Sequence, residues 1–152
     1  MFFLKELPTR LMIEGYAAQH ASLDADAVQD ALGLMRQASL MVRRLEAYFA
    51  EHELSQLRFL VLIVIDREPE RETLSIGEIT HRLDVSKPVM TRTIARLVAG
   101  GLIAVEPDPS DARGKVVRLT AAGRAKLADV LPDYFVLLSA LGRGEADVGE
   151  GA

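Results

Sequence analysis

The chain has 152 residues, of which 49% are hydrophobic and 5% aromatic, so one domain with an aliphatic, helix-rich core is expected. It contains no cysteine, which excludes disulfides, thiolate metal sites and cysteine-based redox sensing. The formal net charge of −4 argues against a nucleic-acid partner, although the local charge of one face decides such binding.

Neither a targeting segment nor a membrane span is expected. The start of the chain carries Lys5 and Glu6 and is too short and too charged for a secretory signal. The longest apolar run, 59–65, is far shorter than the roughly 20 residues of a membrane helix. We therefore expect a soluble cytoplasmic protein.

The first fifty residues carry two apolar helical patterns. In residues 1–20 leucines recur at helical spacing, and a helix is expected to begin near Pro8. No polar face balances this segment, so it needs a partner, either the body of the chain or a second subunit. Residues 24–51 predict a longer helix with a heptad-like stripe formed by Val28, Ala31, Met35, Ala38, Val42, Leu45 and Phe49. This stripe fits a helix lying on its own core and a helix–helix dimer seam equally well.

The run 59–65, FLVLIVI, resembles a buried strand by local propensity. A cap at Ser55, two polar residues before the run and a charged loop after it favour a buried helix instead. Residues 66–73 are expected to form a solvated loop, and Thr73 and Leu74 a minimal strand that adds to a later hairpin.

Two short helices follow. Ser75 and Glu78 have the spacing of a capping box, which predicts the start of the first helix. Ser86 is an N-cap for the second, whose inward residues are Met90, Ile94 and Leu97 and whose outer face is cationic. Such a pair fits a helix-turn-helix, in which the second helix enters the major groove, and also fits an ordinary helical hairpin with a solvated basic face.

A charged hairpin comes next and favours the first of these interpretations. Gly100 and Gly101 end the helix, and strands are expected at 102–105 and 116–119 around a turn-rich segment. Helix-turn-helix plus hairpin is a winged helix. Residues 86–120 hold six Lys or Arg against three Asp or Glu, a net +3, whereas the rest of the chain carries −7. Positive charge therefore concentrates where a phosphate backbone would lie.

The chain resembles MarR-type transcriptional regulators from about Leu54 to about Leu141. The resemblance rests on the run Asp111-Ala112-Arg113, then Leu119-Thr120-Ala121-Ala122-Gly123, and before them Ser86, Met90-Thr91-Arg92, Arg96-Leu97 and Gly101-Leu102. Ala112 stands where many relatives have a further arginine, which is expected to weaken the grip of the wing without changing the fold. The resemblance implies a homodimer on a pseudo-palindromic operator, and release by a small aromatic or anionic effector, with pocket walls at the 28–49 stripe and the 59–65 helix.

Ten residues are predicted to contact DNA. On the second helix, Thr91 and Arg92 are expected at base edges, Pro88 and Val89 at thymine methyl groups, and Ser86, Lys87 and Arg96 at phosphates. On the wing, Arg113 is expected in the minor groove with its guanidinium held by Asp111, as the resemblance implies. The alternative is a salt bridge of a solvated turn. Lys115 is expected at a phosphate. Arg118, outside these ten, fits a phosphate contact and a position facing solvent equally well.

A last helix is expected from Thr120 to Leu141, with a kink at Pro132, followed by a disordered tail at 142–152. Relatives usually continue with a further long helix that helps to form the dimer, and we hypothesise that residues 1–20 replace that contact. The predicted domains are dimerisation helices at 1–54, the winged helix-turn-helix at 55–119 and a dimerisation helix at 120–141.

Other classes of protein fit less well. His20, His52 and His81 are not spaced for a shared metal site, and no phosphate-binding glycine loop or nucleophile motif is present. No cofactor, metal or catalytic residue is therefore predicted, and the ligand residues stay unknown. The predicted fold class is mainly α with a small β-hairpin wing, and the predicted function is a DNA-binding transcriptional repressor. The alternative is a winged-helix adaptor that contacts protein without DNA specificity.

Overall fold

A computed structural model describes residues 4–111 and 113–144. Within them the chain forms helices and three short strands in the order α1 (Arg10–Ala17), α2 (Ala25–Glu51), α3 (Gln56–Asp66), β1 (Thr73–Ser75), α4 (Ile76–Arg82), α5 (Lys87–Ala99), β2 (Ile103–Pro107), β3 (Lys115–Leu119) and α6 (Ala121–Gly142). The predicted fold class, mainly α with a small β-hairpin wing, is confirmed. No helix of the described residues is long and apolar enough to cross a bilayer.

The chain packs as two compact units, and the boundary falls between Leu45 and Glu46, inside α2. In the first unit, Thr9 caps α1 by accepting from the backbone N–H of Met12. The helix therefore begins at Arg10, two residues later than Pro8, which lies outside it. Much of this unit's apolar surface is exposed to solvent, at Leu4, Leu7, Leu11, Met12, Tyr16, Leu34, Met35, Leu40 and Val42.

The second unit is built on α3. The Ser55 hydroxyl accepts from the backbone N–H of Arg58 at 3.3 Å and starts the helix, which confirms a helix and not a strand for the run 59–65. Five of its residues are at most 3% exposed: Phe59, Val61, Leu62, Val64 and Ile65. Phe59 stacks on Phe49, with ring centroids 4.6 Å apart, and the ring of Tyr134 lies equally close to it on another side.

The three strands form one antiparallel sheet in the order β1-β3-β2. Thr73 pairs with Arg118 and Ser75 with Val116, so the predicted minimal strand at Thr73 and Leu74 is confirmed. On the other side of β3, Val105 pairs with Val117. Because β3 is central, its Val117 is fully buried, and the hairpin is fastened to the core at its base.

The loop before β1 is mostly exposed, as predicted, with Glu68 as an exception. Residues 66–73 were expected to be solvated, yet the Glu68 side chain is only 10% exposed and accepts from Arg82 at 2.6 Å. Arg71 donates to Glu78 at 2.8 Å. Glu78 also completes the predicted capping box, since its other carboxylate oxygen accepts from the Ser75 backbone N–H at 2.8 Å. Ion pairs therefore hold the loop against the start and end of α4.

Helix α6 continues across Pro132 to Gly142. Its middle is tied to the end of α2, because the Tyr48 hydroxyl donates to the Val130 carbonyl at 2.6 Å. Gly142 and Arg143, predicted to belong to a disordered tail, are the last residue of the helix and its C-cap, and residues 145–152 of that prediction lie outside the described residues.

Glu78→Gln is expected to make the protein less sensitive to acid. The Ser75 backbone N–H and the Arg71 guanidinium lower the pKa of Glu78 from 4.5 to about 2. A carboxylate with a lowered pKa stabilises the fold above its unfolded-state pKa and loses that contribution as pH falls through its folded-state pKa. The free energy of unfolding, measured by urea denaturation, should therefore drop more between about pH 5 and pH 2 in the unaltered protein than in the variant.

The matched control is Glu70→Gln. Glu70 is exposed in the same loop and has no hydrogen bond or ion pair within residues 4–111 and 113–144. This variant should follow the acid sensitivity of the unaltered protein. Equal pH slopes for Glu78→Gln and the unaltered protein would show that the Glu78 contacts contribute no stability.

Candidate nucleic-acid interface

The start of α5 presents exposed polar groups. Ser86 adopts the extended backbone of an N-cap, as predicted, but its hydroxyl makes no capping hydrogen bond. Pro88 lies in the first turn, where a missing N–H costs nothing. Ser86, Lys87 and Pro88 are all exposed. The unsatisfied backbone N–H groups and the positive end of the helix dipole therefore face solvent together with a lysine, an arrangement that suits an anion.

The rest of α5 divides into two faces, as predicted. Met90, Ile94 and Leu97 are buried, and so is Thr93, whose hydroxyl donates to the Val89 carbonyl at 2.9 Å. Exposed on the other face are Thr91, Arg92 and Arg96, with Val89 half-buried at its edge. The Thr91 hydroxyl donates to the Lys87 carbonyl at 3.0 Å, so its oxygen remains free to accept.

The wing tip is shaped by two aspartates. Asp108 accepts from both the backbone N–H and the hydroxyl of Ser110, at 2.8 and 2.7 Å, and these bonds lower the pKa of Asp108. Asp111 accepts from the backbone N–H of Arg113 at 3.0 Å. Both carboxylates crowd Gly114: a Cβ there would lie 3.1 Å from the Cβ of Asp108 and 3.3 Å from Oδ2 of Asp111. Glycine therefore keeps the turn narrow.

This geometry corrects one predicted role. Asp111 was expected to hold the guanidinium of Arg113, but within the described chain it binds the backbone of Arg113 and no ion pair joins the two side chains. Arg113 and Lys115 both project into solvent. Ala112, noted for its departure from the family pattern, lies outside the described residues. In this structure Asp111 therefore shapes the turn that presents Arg113.

The expectation for Arg118 is also changed. Its Nε donates to Oε1 of Glu106 at 2.6 Å, so this candidate for a phosphate contact is already paired. Sequence reasoning missed Glu106. The predicted strand at 102–105 ended before Glu106, and only the register of the hairpin reveals the pairing, because Ala104 pairs with Arg118 and Glu106 lies two residues further along the same face.

The cations of α5 and the wing tip share one property. Each is exposed, and none forms an ion pair within residues 4–111 and 113–144; they are Lys87, Arg92, Arg96, Arg113 and Lys115. Elsewhere in the same unit Arg71 and Arg82 are paired with glutamates. No carboxylate of the described residues therefore neutralises the positive charges of these predicted contact residues. An anionic partner could approach them without displacing a carboxylate.

A metal site and the predicted effector pocket have less structural support than the cationic face of α5 and the wing tip. In the described part of the chain, no group of three or more His, Asp or Glu side chains could hold a metal ion. His20 and His81 are exposed, whereas His52 lies 3.6 Å from Asp129 and packs against the ring of Tyr48. Of the predicted effector-pocket wall at 59–65, only Leu60 and Ile63 are not fully buried.

Comparison with known proteins agrees with this geometry. The sequence model of the MarR family matches residues 52–114. The HTH-type transcriptional repressor YetL of Bacillus subtilis (strain 168) is 30% identical over 145 residues, which are 95% of this chain and 86% of YetL.

Solved structures share the fold. Wild-type MarR from E. coli in its apo form is similar with a TM-score of 0.62 and 26% identity, over 73% of this chain and 81% of MarR. A mutant MarR from E. coli complexed with operator DNA is similar with a TM-score of 0.66 and 23% identity, over 78% and 84% of the two chains. At that identity the second likeness shows the fold alone.

The helix pair, the hairpin and the exposed cations define a winged helix-turn-helix protein of the kind that regulates transcription. The chain belongs to the MarR family of transcriptional regulators. That family consists of regulators and not of enzymes.

Proposed function

We propose that this protein binds a pseudo-palindromic operator in double-stranded DNA as a homodimer in the cytoplasm and represses transcription. The observation that carries the proposal is the set of five exposed cations on α5 and the wing tip that lack ion pairs among the described residues. Neutralising phosphates with such residues releases counterions and supplies much of the affinity for DNA. The name of YetL, a transcriptional repressor, supports the sign of regulation.

In the proposed complex α5 enters the major groove. Arg92 and Thr91 lie at base edges, and Pro88 and Val89 contact thymine methyl groups. Ser86 and Lys87 bind a phosphate at the positive end of the helix, and Arg96 binds another one turn later. The exposure of this face, opposite the buried Met90 and Leu97, is what makes such docking sterically available.

In the same complex the wing reaches the neighbouring minor groove through Arg113, and Lys115 contacts a phosphate. The narrow turn at Gly114 presents both cations at the end of the hairpin. Arg118 is left out of this set because Glu106 already neutralises it.

The proposed dimer uses the apolar surface that the described chain leaves exposed. In the first unit the side chains of Leu11, Leu34 and Met35 are 79%, 68% and 52% exposed, and on α6 those of Phe135 and Val136 are 54% and 67% exposed. Exposed apolar groups at this density are unfavourable in an isolated monomer. We propose dimerisation helices at 1–54 and 120–141 around a DNA-binding domain at 55–119, with residues 1–20 taking part in the dimer.

Regulation would follow from a population shift. A small aromatic or anionic effector that favours a dimer with its recognition helices spread apart would lower the affinity for DNA by its preference for that state. The two α5 helices must lie about 34 Å apart to read successive major grooves on one side of the duplex.

Selection of bound sequences from a random DNA pool tests the central claim. We expect enrichment of a palindrome, and a binding constant that falls steeply between about 50 and 200 mM salt because several phosphates are contacted. An absence of any enriched palindrome together with a flat salt response would reject DNA binding and leave the protein-binding adaptor as the better description.

Arg113→Ala is expected to weaken operator binding roughly 5- to 150-fold, the range of about 1–3 kcal/mol for a lost contact, with little change in melting temperature. Arg113 is exposed and makes no side-chain bond within the described residues, so its removal costs little stability. Gel-shift titration and thermal denaturation measure the two effects.

The control for this variant is Arg67→Ala. Arg67 is an exposed arginine that directly follows α3 and begins the loop leading to β1. That loop joins β1 at Thr73, which pairs with Arg118 at the base of the hairpin and away from its tip. Its loss should leave operator affinity unchanged. A large drop in melting temperature for Arg113→Ala would instead show that Arg113 is structural.

Deletion of residues 1–20 is expected to raise the dimer dissociation constant, because it removes the exposed leucines of this segment, Leu4, Leu7 and Leu11, from the interface. Sedimentation over a range of concentrations measures it. Gln19→Ala changes an exposed polar residue of the same segment and should leave the dimer as it is. A truncated chain that dimerises as tightly as the full chain would exclude residues 1–20 from the interface.

A further inference from the structure

The end of the recognition helix α5 is bonded directly to the start of α6. Thr120, the N-cap of α6, donates its backbone N–H to the Leu102 carbonyl at 3.1 Å and its hydroxyl to the Gly101 carbonyl at 2.6 Å. The same hydroxyl accepts from the backbone N–H of Gly123 at 3.0 Å. The Thr120 side chain therefore caps α6 and also forms a hydrogen bond with the turn that follows α5.

The contact between the first turn of α6 and the segment after α5 is also sterically tight. Gly123 is buried against Leu102, and a Cβ at position 123 would collide with the carbonyl oxygen of Leu102 and lie 3.0 Å from its carbonyl carbon. Backbone packs on backbone here, without a flexible side chain between the two segments. Such an approach resists displacement, because neither backbone can yield by changing a rotamer.

The turn that follows α5, at Gly101 and Leu102, is also constrained. Gly101 adopts φ +70, and its N–H donates to the Val98 carbonyl at 2.9 Å. The next N–H, that of Leu102, donates to the Leu97 carbonyl at 3.0 Å. These bonds close the last turn of α5 with a left-handed glycine. Gly101 and Leu102 thus connect the end of α5 rigidly to the first turn of α6.

A small change in the angle between α5 and α6 would displace the distant part of α6 by several ångströms. Phe135 lies twelve residues beyond Gly123 on α6, a distance of about 18 Å along a helix. A tilt of about 10° over that length moves the far end by about 3 Å. One step along a DNA strand is about 3.4 Å, so such a tilt would change the half-site spacing that a dimer held at Phe135 could match.

We propose that Thr120 is a positioning residue whose hydroxyl, together with the close approach of Gly123 to Leu102, fixes the angle between α5 and α6 and thereby sets the half-site spacing that the dimer accepts. This inference rests on the proposed function. It assigns no DNA contact to Thr120, which acts through α5.

The test measures binding to a set of synthetic duplexes. The palindrome selected by the unaltered protein is rebuilt with its half-sites one base pair closer and one base pair further apart. We expect the unaltered protein to prefer its own spacing by about tenfold, the size of a typical single-position change in a specific site. Thr120→Val keeps the shape of the side chain but removes both hydroxyl bonds, and its preference should shrink to less than about threefold.

Two further variants separate positioning from stability. Thr120→Ser retains the hydroxyl and should restore the spacing preference. Ser55→Ala removes a hydroxyl N-cap from α3, where the Ser55 hydroxyl accepts from Arg58 and forms no hydrogen bond with α5 within the described residues. It should lower the melting temperature yet keep the preference. All titrations are done below the melting transition of each variant, as followed by circular dichroism.

The outcomes are distinct. A uniform loss of affinity across all spacings in Thr120→Val would show that Thr120 merely caps α6 and would overturn the proposal. The same would follow if Ser55→Ala lost the spacing preference to the same extent. If the unaltered protein selects no palindrome, the proposed function itself fails and the positioning role with it.

Discussion

The central place of β3 in a three-stranded sheet is the constraint on which the DNA-binding unit depends. Val117 pairs with Leu74 on one side and Val105 on the other, and both Val117 and Leu74 are fully buried. The strand order attaches the first helix of the helix-turn-helix, through β1, and the wing, through β2, to the same buried element. Because a packed core deforms little, the recognition helix and the wing tip keep a constant relation to each other.

An acidic protein can offer a cationic face if the carboxylates near that face are already bonded to other groups. Glu68 and Glu78 are paired with Arg82 and Arg71 around α4, and Glu106 with Arg118 in the hairpin. The acidic groups of the wing tip bind backbone N–H groups and the Ser110 hydroxyl instead of arginines. The formal charge of −4 is therefore no guide to the field at α5, where local arrangement dominates because salt screens charges beyond about 10 Å.

Most of the local structure could be predicted because its causes are local. The capping box at Ser75, the cap at Ser55 and the helix end at Gly100 and Gly101 each act over three or four residues, and each was expected from the local sequence. The two faces of α5 follow from helical period in the same way. The order of elements, and with it the winged-helix class, was therefore within reach of the sequence.

The sequence by itself determined where α3, α4, α5 and α6 begin, which face of α5 is apolar and where the positive charge collects. Only the tertiary structure decided which of those charges remain free, since the pairing of Arg118 with Glu106 and of Arg82 with Glu68 joins residues twelve and fourteen apart. It also decided that Asp111 binds backbone and that Gly123 must be glycine, because the Leu102 carbonyl that excludes a Cβ lies on another element. Side-chain pairing and close backbone approach depend on distances between elements, and the period and propensity of one segment carry no information about those distances.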